Sequence, residues 1–507
     1  MSGKAASRGL ITMSVMAATM MQALDSTIAN VALPHMQGSL SAASDQISWV
    51  LTSYIVAAAI ATAPTGFLAR RFGLKQLFLT SIVGFTIASM LCGIATSLTE
   101  IVVFRLLQGL FGAALVPLSQ TVLLDTYPPE QHGSAMSLWG MGVMLGPILG
   151  PTLGGWLTEY YSWRWVFFIN LPIGIFSFLG LSATLPKIDN SGARARLDVL
   201  GFALLSIAIA SLQLMLDRGE TKDWFSSTEI VIEAGAAVFA FYLFFVHTMT
   251  AKKPFIPPHL FRDRNFVSGL VLIFIVGIVL FATSALLPPF LQNLRDFPVV
   301  TTGLAVAPRG VGTMIAMQAA GPLLRRVDPR KIMAVGMGCT ALSLYWMAGY
   351  TLDVPIWFLT VSMVVQGFGI GFVFVPLSTV TFGTLSPQDR GDGTALFSLL
   401  RNVGSSIGIA AAFAYQTRMT QVNHAYLTEH ITPYNPAIFQ YLNAGDGLTK
   451  AEGLATIVTE VSRQAGMLAL IADIKVMMWG VLLATPLLLL FRRPSPSAQV
   501  NEEALLD

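Results

Sequence analysis

Long apolar runs separated by short polar breaks dominate the chain, and they are continuous rather than alternating. A membrane crossing takes about 20 residues of helix. On that measure the runs predict fourteen spans, near 10–33, 47–69, 76–96, 101–124, 134–158, 164–185, 198–217 and 228–249, then 265–291, 302–322, 331–350, 356–380, 391–416 and 467–491. Continuous runs indicate helices and not a barrel, because a helix satisfies its own backbone inside lipid. The first run is too long for a signal-peptide core and carries Asp25, so it is expected to stay in the mature chain as span 1.

Composition agrees with this pattern. Hydrophobic residues make up 54% of the 507 positions and charged residues 11%, against about 25% charge in ordinary soluble domains. The net charge of +3 is small, and the basic residues sit in short blocks beside apolar runs, which excludes nucleic acid as a partner. Cys92 and Cys339 fall in apolar segments far apart and read as packing residues rather than a disulfide. No phosphate loop, zinc spacing or nucleophile elbow is present, so catalysis is not expected. Gly367, Gly369 and Gly371 lie inside an apolar helix, where they permit close packing.

The basic residues are unevenly distributed. One set of loops holds Lys4, Arg8, Arg70, Arg71, Lys75, Lys187, Arg194, Arg196, Lys252, Lys253, Arg325, Arg326, Arg492 and Arg493 among others. The opposite set holds only Arg164, Arg218, Lys222, Arg295, Arg418, Lys450 and Arg463. The positive-inside rule then places both termini in the cytoplasm, as an even number of spans requires.

An internal duplication organises the chain. Gly66-Phe-Leu-Ala-Arg70-Arg71 returns as Gly321-Pro-Leu-Leu-Arg325-Arg326. Gln108-Gly109 with Val116-Pro117-Leu118-Ser119 returns as Gln366-Gly367 with Val375-Pro376-Leu377-Ser378. Pro129 to Gly133 answers Pro387 to Gly391, and all these separations lie between 255 and 259 residues. The expected organisation is a six-helix half at 1–186, two inserted helices with flanking loops at 187–264, and a second six-helix half at 265–491. That second half carries an external segment near 417–466, either a partly ordered cap or a solvated connector, and a short tail follows at 492–507. Parallel repeats of this kind place a substrate near the midplane between halves that rock.

Several motifs resemble the major facilitator superfamily and, within it, the fourteen-helix drug:proton antiporters, the family of EmrB and QacA. They are Leu24-Asp25-Ser26-Thr27 running to Pro34, the loop Gly66 to Lys75 with Arg70, Arg71 and Gly73, and Arg105-Leu-Leu-Gln108-Gly109. Gly142 with Gly146-Pro147, Gly150-Pro151 and Gly154-Gly155 is similar to the antiporter motif of the fifth helix. Trp163-Arg164-Trp165, followed by Phe167 to Pro172, is most similar to the EmrB branch. The resemblance implies a multi-pass protein of the bacterial inner membrane that needs no cofactor and is driven by the proton gradient. It also implies a periplasmic adaptor and an outer-membrane channel as partners, beside the lipid bilayer, protons and small lipophilic substrates. The family's loop usually carries an acid where Arg70 stands, so an acidic gating contact is not expected at that position.

Ionisable residues inside a membrane cost about 2.5 to 3.5 kcal/mol on insertion scales and mark function by default. The embedded set is Asp25, Arg105, Glu233, Arg309, Arg401, Asp473 and Lys475. At about 1.5 Å per residue, Asp25 lies ~22 Å in from one side and Arg105 ~6 Å in from the other, so the two reach similar depth. They read either as a proton-coupling site or as a structural ion pair between spans 1 and 4. Asp473 is a weaker coupling candidate, and Arg309 is placed near the outer interface. Glu233 belongs to the inserted pair, outside the transport core. Gln22, Asn30, Gln108, Gln292 and Gln366 are candidates for the substrate cavity, or else bonds between helices. The glycines and prolines of span 5 predict a bent, close-packed helix that seals the cytoplasmic side between the halves. Together these features point to a proton-coupled exporter of drug-like compounds. A dedicated exporter of one metabolite (a fatty acid, siderophore or other natural product) is the alternative, and a membrane scaffold or sensor a third reading.

Overall fold

The structure, a computed structural model, describes residues 2–43, 46–186, 198–252, 254–432, 435 and 450–492. Lys187, Arg194, Arg196, Lys253, Arg493, most of the external segment beyond Thr432 and the tail beyond Arg492 lie outside the described residues, as do the side chains of Lys4, Pro147, Pro151 and Lys450.

Helix runs through each of the fourteen expected segments, and the described residues contain no strand. The first half comprises α1 (Ser2–Ser39), α2 (Trp49–Thr62), α3 (Thr65–Phe72), α4 (Leu74–Ile94), α5 (Leu98–Gly112), α6 (Leu115–Thr126), α7 (His132–Tyr160), α8 (Trp165–Phe168) and α9 (Asn170–Thr184). The inserted pair is α10 (Val199–Arg218) and α11 (Thr228–Thr250). The second half comprises α12 (Arg264–Pro289), α13 (Val299–Val306), α14 (Pro308–Leu323), α15 (Pro329–Met347), α16 (Ile356–Gly383), α17 (Arg390–Thr428) and α18 (Lys450–Ala484). Among the described residues nine helical runs are long and apolar enough to cross a membrane, or ten if α2 and α3, bent by 59° at their break, count as one crossing. Helix α1 falls short of that measure because Gln22, Asp25, Ser26, Thr27 and Asn30 interrupt its apolar sequence.

The duplication in sequence is a duplication in packing. Helix α1 packs on α7 as α12 packs on α17, α2 packs on α5 as α14 packs on α16, and α4 meets α9 as α15 meets α18. The repeated Gln-Gly pair has a shared physical cause. A Cβ at Gly109 would collide with the Tyr54 carbonyl on α2, and one at Gly367 with the Arg309 carbonyl on α14. In both halves this glycine lets two helices touch backbone to backbone.

The span-5 glycines do something other than expected. Gly146, Gly150 and Gly154 face Ala23, Thr27 and Ile28 of α1, inside their own half. The contacts of α7 with the second half come from elsewhere on the helix: Gly133 lies against Leu324, Gly140 against Met317, and Trp139 stacks on Phe374 at 5.8 Å. The inserted α10 packs on α11 and against α2.

At the end of the bundle that carries the Arg70–Arg71 loop, polar contacts join the halves. Arg70 donates to Asp392 on α17. Arg390 Nη1 donates to Asp125 Oδ1 at 2.8 Å and to the Leu124 carbonyl at 3.2 Å. The Thr121 and Thr394 hydroxyls bond at 2.9 Å. A Cβ at Gly66 would occupy the position of the Asp392 carboxylate, so Gly66 and Arg70, one turn apart on a short helix, both accommodate a single acid. The acid that the loop lacks at position 70 is instead present on the other half, as Asp392.

This latch is open to test in a background of Cys92→Ser and Cys339→Ser with a reporter cysteine at the buried position Ala135. Asp392→Asn should speed labelling by a membrane-impermeant thiol reagent from the basic face about fivefold, the factor that about 1 kcal/mol of lost closure gives. Exchanging the two charges, Arg70→Asp with Asp392→Arg, should restore slow labelling. Unchanged labelling in Asp392→Asn would show that the pair does not hold this end shut.

Candidate functional site

Asp25 lies two-thirds of the way along α1 and is fully buried, with three donors on its carboxylate. Arg105 Nη1 of α5 donates to Oδ2 at 2.6 Å, Gln108 Nε2 to Oδ1 at 2.7 Å, and Asn170 Nδ2 of α9 to Oδ1 at 3.2 Å. Arg105 and Gln108 are one helical turn apart, so both reach the same acceptor from one face of α5. Each donor is itself held. Arg105 Nε donates to the Val50 carbonyl at 3.1 Å and Nη1 also to Gln108 Oε1 at 2.9 Å. The guanidinium lies 4.3 Å from the Tyr54 ring centroid and 5.7 Å from that of Phe167. Asn170 Nδ2 donates to Ser89 Oγ at 2.9 Å, and Ser89 donates to the Phe167 carbonyl at 2.8 Å. Helices α1, α5 and α9 thus meet at one carboxylate, and α2 joins them through Arg105.

Beside this cluster a cavity of about 1550 Å³ runs between the halves. Its floor includes Val116, Gly140, Met317 and Phe374, and its mouth is marked by His35, Glu159, Tyr160, Trp224, Gln292 and Thr302. All of the mouth residues lie at helix ends opposite the Arg70–Arg71 loop, so the cavity opens at that far face and stops short of the latch. Arg105 is on the wall, and Asp25 sits behind it, out of contact with the cavity.

Of the residues singled out in sequence, Gln22, Asn30 and Gln292 line the cavity, Gln22 donating to Tyr54 Oη at 3.4 Å. Gln108 belongs to the Asp25 cluster instead. Gln366, its counterpart in the repeat, is off the cavity, 1% exposed, with neither amide atom bonded among the described residues. Gly155 lines the cavity near its mouth, and Gly73 (φ 89°) makes the break between α3 and α4. Asp473 is buried away from both cavity and cluster, and its Oδ2 has no partner among the described residues. Lys475 points outward from the same helix. Glu233 pairs with Arg218 at 3.5 Å, tying α11 to α10.

Arg309 is not at the interface. It is 9% exposed and lines the cavity, as does Arg401. Sequence reasoning also missed Asn170, Tyr54 and Asp392, and it placed the inserted helices outside the transport core. Helix α10 in fact contributes Gln213, Leu216 and Asp217 to the cavity wall, with Asp217 accepting from Thr52 of α2. The available signal for Asn170 was a lone amide inside the apolar run from Trp165 to Leu181.

Comparison with known proteins agrees with this architecture. Residues 15–409 match the Major Facilitator Superfamily. The multidrug export protein EmrB of Escherichia coli (strain K12) is 37% identical over 490 residues, covering 96% of this chain and 95% of the relative. The fatty acid resistance protein FarB of Neisseria gonorrhoeae is 35% identical over 463 residues, covering 91% of each. Among solved structures, the human organic anion transporter MFSD10 aligns with a TM-score of 0.57 at 14% identity, covering 94% of this chain and 99% of its own. The proton:xylose symporter XylE aligns with a TM-score of 0.59 at 14% identity, covering 94% and 96%. At such identity the structural matches speak to the fold alone.

Removing one member of a buried ion pair costs about 3 to 5 kcal/mol, whereas replacing both by apolar side chains is often neutral. Arg105→Met should therefore lower the unfolding midpoint of the purified protein markedly. The double change Asp25→Leu with Arg105→Met should recover most of that loss in the same melting experiment. A double variant as unstable as the single one would mean that the pair contributes net stability through its bonds rather than through mutual compensation.

Proposed function

We infer the function from the premise that this chain belongs to the Major Facilitator Superfamily, and we propose that it exports lipophilic, drug-like compounds from the cytoplasm in exchange for protons. The chain is a multi-pass membrane transporter and not an enzyme. Its relative EmrB is named a multidrug export protein, which supports an efflux role here. The observation that carries the coupling is geometric: the buried carboxylate of Asp25 is held by an arginine that also lines the cavity.

On this reading the protein sits in a bacterial inner membrane with both termini, and the basic Arg70–Arg71 loop, in the cytoplasm. The cavity then faces outward, and the Arg70–Asp392 and Arg390–Asp125 contacts are the closed cytoplasmic gate. A proton arriving from outside neutralises Asp25 and dissolves its pairing with Arg105. The freed guanidinium then changes the charge of the wall that meets the substrate. Return of the proton to the cytoplasm re-forms the pair. The proton gradient supplies the energy, with no cofactor. On this reading a periplasmic adaptor and an outer-membrane channel complete the export route.

The test is substrate-induced proton release from inverted membrane vesicles with an acidified interior, using a panel of uncouplers, lipophilic cations and fatty acids. Wild type should release protons on adding substrate, and Asp25→Asn should lose at least tenfold of that exchange at equal expression. Full exchange in Asp25→Asn would remove Asp25 from the coupling, and no response from wild type to any compound would overturn drug export.

A further inference from the structure

The cations and the acids of the cavity wall are set apart from one another. Three arginines line it: Arg105, Arg309 and Arg401. Arg105 is neutralised by Asp25 at 2.6 Å. Neither Arg309 nor Arg401 has a carboxylate within ion-pair distance among the described residues. Arg309 Nη1 and Arg401 Nε are both buried without an acceptor, and the bond recorded for the Arg401 head is a long one from Nη2 to Asn402 Oδ1 at 3.4 Å. The acids of the wall are at the other end. Glu159 lies in the last turn of α7, Asp217 in the last turn of α10 and accepts from Thr52, and Glu220 accepts from Trp224 Nε1 at 3.1 Å.

Both arginines are near mid-depth. Arg309 is ten residues after Val299, ~15 Å in from the mouth end, and Arg401 is eleven residues after Arg390, ~16 Å in from the latched end. Their backbones are pinned while their heads are not. The Arg309 carbonyl is pressed against Gly367 of α16 and the Arg401 carbonyl against Gly277 of α12. Elsewhere the cavity wall carries apolar side chains such as Ile273, Val276, Leu280, Phe281 and Phe413. A guanidinium in an apolar wall is held well by a planar anion that can take two parallel N–H donors, as a carboxylate does.

We propose that Arg309 and Arg401 form an anion-holding subsite in the second half of the transporter, and that it selects amphiphiles with one acidic head and an apolar body. This deepens the export reading and rests on it for the direction of transport. Asp25–Arg105 in the first half then serves the proton, and the two unpaired arginines serve the substrate. Arg309 fixes the head from the α14 side of the cavity and Arg401 from the α17 side, while the aliphatic and aromatic wall takes the body.

The experiment is equilibrium binding to the full-length protein in lipid nanodiscs, with empty discs subtracted. The probe is 11-(dansylamino)undecanoate, competed by dodecanoate and by dodecylamine of matched chain length. Wild type should bind the probe saturably, and dodecanoate should displace it at least tenfold better than dodecylamine. Arg309→Gln and Arg401→Gln should each weaken probe binding about tenfold, with Arg309→Lys and Arg401→Lys recovering part of it. Equal displacement by acid and amine in the wild type would overturn the proposal, as would unchanged affinity in both glutamine variants. If the variants fail to fold, the wild-type preference between acid and amine decides alone. Binding at equilibrium needs no proton gradient, so vesicles that show no exchange would sink the antiport reading while leaving this result standing.

Discussion

A carboxylate with no access to water has to be compensated where it stands, and that constraint organises the first half of this transporter. Asp25 accepts from Arg105, Gln108 and Asn170, and those donors come from two other helices. Arg105 in turn reaches the Val50 carbonyl and lies over Tyr54, both on α2. Leaving any one donor unmade exposes a buried charge to the full penalty of desolvation. The relative positions of α1, α2, α5 and α9 are thereby fixed at mid-depth by polar contacts, in a medium where the hydrophobic effect cannot fix them. The same dependence makes the cluster responsive, because one proton on Asp25 changes the reason for the whole arrangement.

The two halves share a scaffold and differ in their charges. Gly109 and Gly367 make the same close helix contact, and the pairings of α1 with α7 and α12 with α17 repeat one another. Yet Gln108 finds an acid, and Gln366 finds none among the described residues. Among the described residues Arg309 has no counterpart to Asp25 beside it. Duplication supplied two equivalent frames, and the polar residues placed in them divide the work: a neutralised pair in one, unpaired cations in the other. The inserted α10 adds to the asymmetry, since it closes the wall beside α2 and brings Asp217 to the mouth.

What the sequence disclosed and what it withheld follow from the range of the interactions. Span positions and the internal repeat depend on local composition and were legible, as was the meeting of Asp25 with Arg105, which needs only helix rise and membrane thickness. The stripe Gly146, Gly150 and Gly154 was legible as a close-packing face because its spacing of four keeps one side of a helix. Which neighbour it meets was not, and the structure gives α1 rather than the other half. The Arg70–Asp392 contact joins residues 322 apart in different halves, so no local pattern announced it. Arg309 was placed at the interface by counting from the end of its span. The structure instead buries it on the cavity wall, in a helix that restarts at Pro308.

The separation of charges along the cavity has an electrical consequence on the proposed reading. Each unit charge that crosses 100 mV exchanges about 2.3 kcal/mol with the membrane potential. With the cytoplasm negative, an outgoing anion and an incoming proton both move downhill, so one exchange draws about 4.6 kcal/mol per 100 mV. An outgoing monovalent cation exchanged for one proton draws nothing from the potential. A wall whose mid-depth cations Arg309 and Arg401 lack a carboxylate partner among the described residues therefore favours the substrate sign for which the membrane does more of the work. The cationic residues lie at mid-depth and the acids Glu159, Asp217 and Glu220 toward the mouth. An anion leaving the arginines passes those acids once, and an anion outside must pass them to return. The acids present one barrier to passage in either direction, so the direction of net export comes from the proton and the potential and not from the order of charges along the wall.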